Sequence, residues 1–296
     1  MEEAQSRQWR VVDVIEWGKE YLARFGIENP RLNIELLLGD VICKKRLDLY
    51  LNFDRTLSRD ELSRLKERVM RRSQHEPVQY IVGNAHFYGF EFELNQGCLI
   101  PRPETEFFVE VLLKEAAGSS PAPARILDVG AGSGVIAVTL AKQLPEARVT
   151  AVDVSSEALA AARRNAEKNG VGERVMFLEG DLFSPLPAGA AFDLIVSNPP
   201  YIRSGEFAGL PREVREYEPA LALNAGDPEG LSFYRRIIDG ARDRLVSGGI
   251  LAFEVGDDRQ AVDVEKLFEK TAVFSKITRF PDYNQISRAV IGRLRA

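Results

Sequence analysis

The 296-residue chain is long enough for two domains and a large core, and its 45% hydrophobic and 28% charged content is ordinary for a soluble globular protein. The net charge of −5 is +2 over residues 1–75 (15 Lys and Arg against 13 Asp and Glu) and −7 over the remainder (24 against 31), with no polybasic arm, which argues against a dedicated nucleic-acid binder. Two cysteines and two histidines (Cys43, Cys98, His75, His86) supply neither a disulfide framework nor a metal-ligand cluster, the start MEEAQSRQWR lacks the apolar core of a signal peptide, and no apolar run reaches membrane-spanning length, so a cytoplasmic protein without a metal is expected.

In chain order, Val11, Val12, Ile15, Tyr21, Leu22 and Phe25 recur near helical spacing, and Gly26 is a stop. Pro30 opens a second helical stretch carrying Leu32, Ile34, Leu36, Leu37 and Leu38. Ser58 with Glu61 three residues on is a capping-box pattern, followed by a stripe of Leu62, Leu65 and Val69. The Arg and Lys residues around that stripe read as solvated surface. Residues 1–75 are therefore expected to form a small helical bundle.

Residues 76–103 change character. Aromatics, alternation at Phe90, Phe92 and Leu94, and glycine punctuation predict a β-hairpin connector. RPETEFFVEVLLKEA reads as a helix, and 118–123 (GSSPAP) as a loop. From Arg125 onward, seven candidate strands (125–130, 148–153, 174–180, 192–198, 249–255, 274–280 and 288–294) are interspersed with helices near 134–144, 155–169, 230–246 and 257–271. This predicts an α/β domain over 104–296, a Rossmann-like, mostly parallel seven-stranded sheet with helices on both faces. Ligands in such sheets bind at the carboxyl ends of the strands where the strand order reverses. Cys43 and Cys98 read as packing residues, and Glu115 and Glu218 as surface groups.

Residues 126–141, ILDVGAGSGVIAVTLA, read as a strand, a loop of Gly130, Ala131, Gly132, Ser133 and Gly134, and a helix. The glycines permit a tight turn and close backbone approach by a ligand, and helix amides beyond them can receive a carboxylate or phosphate. The next strand ends at Asp153, 19 positions after Gly134, a spacing suited to holding ribose hydroxyls. A close-packed turn with Asp153 as a helix N-cap would look similar, but strand, helix and distal acid together favour a ligand. Asp128 can brace the loop or reach a ligand ammonium. The G-x-G-x-G spacing departs from the dinucleotide fingerprint. A third strand end carries Asp181, able to accept from an amino group such as that of adenine, with Leu182 and Phe183 next to it to cover a ring; a simple Asp/Ser turn fits that segment equally well.

The most informative stretch is VSNPPYI, residues 196–202. Pro199 and Pro200 end a strand, remove two backbone donors and push the residue before each toward extended geometry. Asn198 is thereby held on a stiff backbone. Its side chain offers an acceptor and a donor, the Pro199 carbonyl a second acceptor, and Tyr201 a flat face. Two convergent acceptors beside an aromatic suit a planar NH2 group, which they orient and whose nitrogen they stabilise as positive charge grows on it.

Asn-Pro-Pro-Tyr after one strand and G-x-G-x-G after an earlier one resembles the S-adenosylmethionine-dependent amino methyltransferases. The stretches YIVGNAHFYGFEFELNQGCLIPRPETEFFVE (80–110), VREYEPALAL (214–223) and DYNQISRAVIGR (282–293) narrow the resemblance to the release factor glutamine methyltransferase family, known as PrmC or HemK. The resemblance covers nearly the whole chain and is strongest over 77–293. It implies N5-methylation of the glutamine side chain in the Gly-Gly-Gln motif of peptide chain release factors. It implies S-adenosylmethionine as cofactor, with Gly130, Ala131, Gly132, Ser133 and Gly134 lining it, Asp153 on its ribose, and Asp181 and Leu182 near its adenine. The family commonly has an aromatic residue where this chain has Leu182. Asn198, Pro199, Pro200 and Tyr201 would bind the glutamine amide, with Asn198 also near the cofactor and Arg102 to Thr105 at the edge of the site. The helical front domain would recognise the release factor, and the expected state is a monomer that binds neither nucleic acid nor membrane.

Three rival readings differ in class. An adenine-N6 methyltransferase acting on DNA or RNA shares the Asn-Pro-Pro-Tyr chemistry but needs a basic groove and a target-recognition domain, and neither is evident. A nicotinamide oxidoreductase leaves 196–202 unexplained. A non-catalytic cofactor-binding regulator has no need of Asn198 and Tyr201.

Overall fold

The computed structural model describes residues 8–119 and 121–295. Numbered along the chain, the first elements are α1 (Val11–Arg24), α2 (Pro30–Ile42), α3 (Arg46–Tyr50), α4 (Arg59–Ser73), α5 (Val78–Val82), β1 (Asn84–Phe87), β2 (Phe90–Glu93) and α6 (Pro103–Ala117). Then come β3 (Arg125–Val129), α7 (Val135–Gln143), β4 (Arg148–Asp153), α8 (Ser156–Lys168), β5 (Val175–Glu179) and β6 (Phe192–Ser197). The last are α9 (Arg212–Tyr217), α10 (Ala220–Leu223), α11 (Ser232–Ala241), β7 (Leu245–Glu254), α12 (Asp258–Thr271), β8 (Phe274–Pro281) and β9 (Ser287–Leu294). They fall into two compact units.

The first unit comprises the described residues up to Gly83 together with α9. Its core joins Val14, Ile15 and Leu22 of α1 to Ile34, Leu37 and Leu38 of α2 and to Leu65 and Val69 of α4. Each such buried side chain contributes about 1.5–3 kcal/mol. Helices α1 and α2 approach so closely at Gly18 that a Cβ there would stand 2.3 Å from Ile34. The predicted capping box forms: Ser58 Oγ accepts from the Glu61 amide at 3.2 Å, and Glu61 Oε2 accepts from the Ser58 amide at 2.8 Å. Two expectations fail here. Arg72 on α4 is buried rather than solvated, because Asn33 Oδ1 (2.7 Å), the Glu76 carbonyl (3.0 Å) and Glu213 (2.7 Å) take its guanidinium. Cys43 is exposed, at the left-handed residue that ends α2.

The second unit comprises Asn84–Pro211 and Glu218–Ala296, of which all but residues 120 and 296 are described. Its seven-stranded sheet runs β5-β4-β3-β6-β7-β9-β8, with β5 through β7 parallel and β9 antiparallel to both its neighbours. Alternate residues feed opposite faces, as the pleat requires. Ile126, Leu194, Val196 and Ala252 pack with Phe108, Leu112 and Leu140, whereas Leu127, Ile195, Leu251 and Phe253 pack with Tyr234, Ile238 and Phe268. The strand order reverses between β3 and β6, whose last residues, Val129 and Ser197, face each other in register.

The hairpin is confined to β1 and β2, with Phe87 and Phe92 buried edge to face at 6.0 Å. Asn165 of α8 pins it, accepting from the Glu93 amide at 2.7 Å and donating to the Glu93 carbonyl at 3.0 Å. Among the described residues, no helix is long and apolar enough to cross a membrane.

Candidate active site

A cavity of about 380 Å³ opens at the carboxyl ends of β3, β4, β5 and β6. Gly130 and Gly132 form its floor, with φ of +79° and +55° and, among the described residues, no atom within 4 Å of where a Cβ would stand. Side chains would strain that backbone and fill the open space. Gly134 has a different role. Its φ is +82°, and a Cβ would stand 3.0 Å from Ala162, so it lets α7 lie close to α8. Ala131 and Ser133 are buried and do not line the cavity.

Asp153, at the end of β4, ties the floor together. Its Oδ2 accepts from the Gly132 amide at 2.8 Å and its Oδ1 from the Ser155 amide at 2.9 Å. Each oxygen keeps a second lone pair, and the residue lines the cavity, so it can also accept from vicinal hydroxyls. The N-cap of α8 is Ser155, which accepts from the Ala158 amide at 3.1 Å. Beneath the loop, Asp128 is fully buried, and its Oδ2 accepts from the Ala137 amide at 3.0 Å in the first turn of α7. Burial raises this carboxyl to about 7, against the pull of that amide; the charge on Asp153 adds to the rise.

Beyond β5, Asp181 and Leu182 line the cavity. Asp181 is ion-paired to Arg236 through Oδ2. Leu182 sits at φ +51°, a turn that sends Phe183 away to pack against Gly240, where a Cβ would stand 2.5 Å from the ring. Phe233 and Ile237 of α11 complete an apolar wall. An open glycine floor, a carboxylate at one rim and an apolar wall fit a nucleoside with its ribose at Asp153 and its ring beside Leu182 and Ile237.

Ser197 Oγ donates to the Val129 carbonyl at 2.7 Å, locking the end of β6 to the end of β3. Asn198, Pro199 and Pro200 therefore line the same cavity as Gly130. Asn198 Nδ2 donates to Thr105 Oγ1 at 3.3 Å. Tyr201 is not part of that lining. Its ring packs against Gly256, and its carbonyl accepts from Gln260 Nε2 at 3.2 Å. Burial and the nearby charge of Glu254 raise its phenol, with Arg102 and Arg288 opposing.

The sequence reading missed several groups. Gln96, Gly97 and Leu99 close one side of the cavity, and Leu221 and Ala222 of α10 another. Glu218 is buried rather than a surface group, because Arg102 and the Ile100 amide (3.2 Å) take its carboxylate. Glu254, at the end of β7, is buried behind Asn198; an acid closing the apolar run GILAFEV was the available signal.

Two family models match the chain: the PrmC N-terminal domain over residues 13–83 and the methyltransferase small domain over 103–209. The release factor glutamine methyltransferase of Chlorobaculum tepidum is 45% identical over 97% of this chain and 98% of its own. That of Geobacter sulfurreducens is 46% identical over 97% of each. Among solved structures, a methyltransferase from Pyrococcus furiosus shares the fold at 20% identity, with a TM-score of 0.52 over 79% of this chain and 100% of its own. With near-full-length identity at this level, the chain belongs to the release factor glutamine methyltransferase family.

Proposed function

We propose that this protein transfers the methyl group of S-adenosylmethionine to the side-chain amide nitrogen of the glutamine in the Gly-Gly-Gln motif of peptide chain release factors. The supporting observation is the register of Val129 with Ser197, which sets the glycine floor and the Asn-Pro-Pro turn on one cavity. Bound there, S-adenosylmethionine supplies an electrophilic sulfonium methyl. The chain's task is to hold a poor nucleophile against it.

A carboxamide nitrogen is weakly nucleophilic because its lone pair is delocalised. Asn198 Oδ1 and the Pro199 carbonyl accept from the two N–H bonds of the substrate amide. They would orient the nitrogen and stabilise the positive charge that grows there during attack; once the C–S bond has broken, the surplus proton leaves the nitrogen to solvent. Fixing nitrogen and methyl at about 3 Å in line with the departing sulfur is worth several kcal/mol. Pro199 and Pro200 keep both acceptors from relaxing away. Asp153 and the glycine floor hold the nucleoside, and Leu182 with Ile237 offers an apolar face to its ring. Tyr201 lies outside the cavity lining, and its ring, packed against Gly256, braces the turn that carries Asn198 and Pro199.

The helical front domain, over residues 1–75, is the second contact surface for the release factor, and residues 76–103 connect it to the catalytic domain. The enzyme works as a monomer in the cytoplasm, on class 1 release factors, without binding nucleic acid or membrane. Incubating a release factor with the protein and S-adenosylmethionine should add one methyl to the Gly-Gly-Gln glutamine, located by mass spectrometry. Transfer to adenine in nucleic acid, with the release factor left unmodified, would overturn the reading.

A further inference from the structure

Glu254 has no part in the function as stated, yet its burial calls for one. It closes β7, is 1% exposed, and among the described residues its Oε2 has no hydrogen-bond partner. A buried carboxyl with an unsatisfied oxygen costs free energy that an apolar residue at the end of this strand would not. Such a group persists where it serves something nearby. Its neighbours include Thr105, 3% exposed, and Asn198, both close enough to its carboxyl to favour the charged form.

The donors and acceptors in this cluster can be assigned by elimination. Asn198 Nδ2 donates to Thr105 Oγ1 at 3.3 Å. The Thr105 hydroxyl has a single proton, and having accepted from Asn198 it has that proton to offer Glu254. A relay running from Asn198 through Thr105 to an ionised Glu254, which can only accept, keeps the NH2 side of Asn198 turned toward Thr105. A carboxamide can sit in either of two orientations 180° apart, and only one of them turns Oδ1 to an incoming NH2 group. In the other, two NH2 groups would face each other.

We infer that Glu254 is a positioning residue of the transfer: through Thr105 and by its own contact it holds the Asn198 side chain in the orientation that turns Oδ1 to the substrate amide. This rests on the proposed role of Asn198. An acceptor-only carboxylate enforces the direction of the relay. A glutamine of the same shape would not, because its NH2 can donate to Thr105, whose proton then turns to Asn198 and favours the reversed carboxamide. The carboxyl is raised to about 7, chiefly by burial, with Thr105, Arg288 and Asn198 opposing and Glu104 adding. The other titratable groups that sense it are the phenols of Tyr201 and Tyr234. Protonation below that pH gives Glu254 a donor of its own and loosens the relay.

The test is methylation of a release factor by Glu254→Gln, Thr105→Val, Thr105→Ser and the Glu254→Gln/Thr105→Val double variant, with kcat followed from pH 5.5 to 8.5. Glu254→Gln should lower kcat at pH 8 about tenfold or more while S-adenosylmethionine affinity stays within about twofold. Wild-type kcat should fall as pH drops through about 7, and Glu254→Gln should have lost that acid limb. Thr105→Ser should stay close to wild type and Thr105→Val should resemble Glu254→Gln. The double variant should be no worse than either single one, since all break one relay. A Glu254→Gln enzyme with wild-type kcat and an unchanged pH profile would overturn the inference, as would additive losses in the double variant. Absence of methyl transfer by the wild-type protein would instead sink the functional reading itself.

Discussion

Tyr201 and Gly256 compete for the same space: a Cβ on residue 256 would stand 3.0 Å from Cε2 and 3.2 Å from Cδ2 of the ring. The ring is held by the turn between β7 and α12, whose Gln260 also binds the Tyr201 carbonyl. Substituting Gly256→Ala should displace the ring and shift the turn that carries Asn198. The expected result is a drop in kcat of about tenfold with S-adenosylmethionine affinity little changed. Tyr201→Phe should keep most activity and Tyr201→Ala should not. Equal losses in those two would show that the hydroxyl, not the ring, is what matters.

Asn198→Ala removes one of the two acceptors proposed to face the substrate nitrogen. Loss of one such partner costs about 3 kcal/mol of transition-state stabilisation, so turnover should fall at least about a hundredfold. Cofactor affinity, measured by calorimetry, should fall much less. Near-normal turnover would count against the assignment.

Asp153 anchors the Gly132 and Ser155 amides as well as facing the cavity. Asp153→Ala therefore removes a charged acceptor from ligand and loop together. Hydrogen bonds to a charged group are worth about 1.5–3 kcal/mol, so the dissociation constant for S-adenosylmethionine should rise about ten- to a hundredfold. An unchanged constant would move the nucleoside elsewhere.

Burial holds the Asp128 carboxyl at about 7 in the folded protein, above its ordinary value of 3.8. The folded state thus binds the proton more tightly than the unfolded state does. The resulting stabilisation is complete below pH 3.8 and lost as pH rises through about 7. Asp128→Asn keeps an oxygen for the Ala137 amide but carries no charge. Its melting temperature relative to wild type should rise between pH 5 and pH 8. A difference that stays flat across that window would mean that Asp128 is not buried as the fold has it.

Strands β3, β4 and β6 could be read directly because each is an apolar run stopped by Gly, Asp or Asn, and those stops line the cavity. Strand β7 begins at Leu245, ahead of the expected 249, because it continues through Gly248 and Gly249, which read locally as a break. Helix α11 ends at Ala241, short of the expected 246, because that early start of β7 leaves it no room. Short helices α9 and α10 carry no periodic signal over six and four residues. The buried acids were hidden for another reason. Glu218 is buried by Arg102, 116 positions away, and Arg72 meets Glu213 at a separation of 141. A charge reads as surface until a distant partner neutralises it, and no local pattern announces the partner.

Among the described residues β9 is the last strand, and it lies between β7 and β8 in the sheet, so β8 is made before the neighbour it pairs with. While the nascent chain is emerging from the ribosome, residues 274–281 have no template, and the flank of β7 stays bare until residues 287–294 follow. Such bare flanks invite pairing between chains. Stalled or clipped products that stop short of residue 287 should clump, even though every residue of the cavity has already been synthesised.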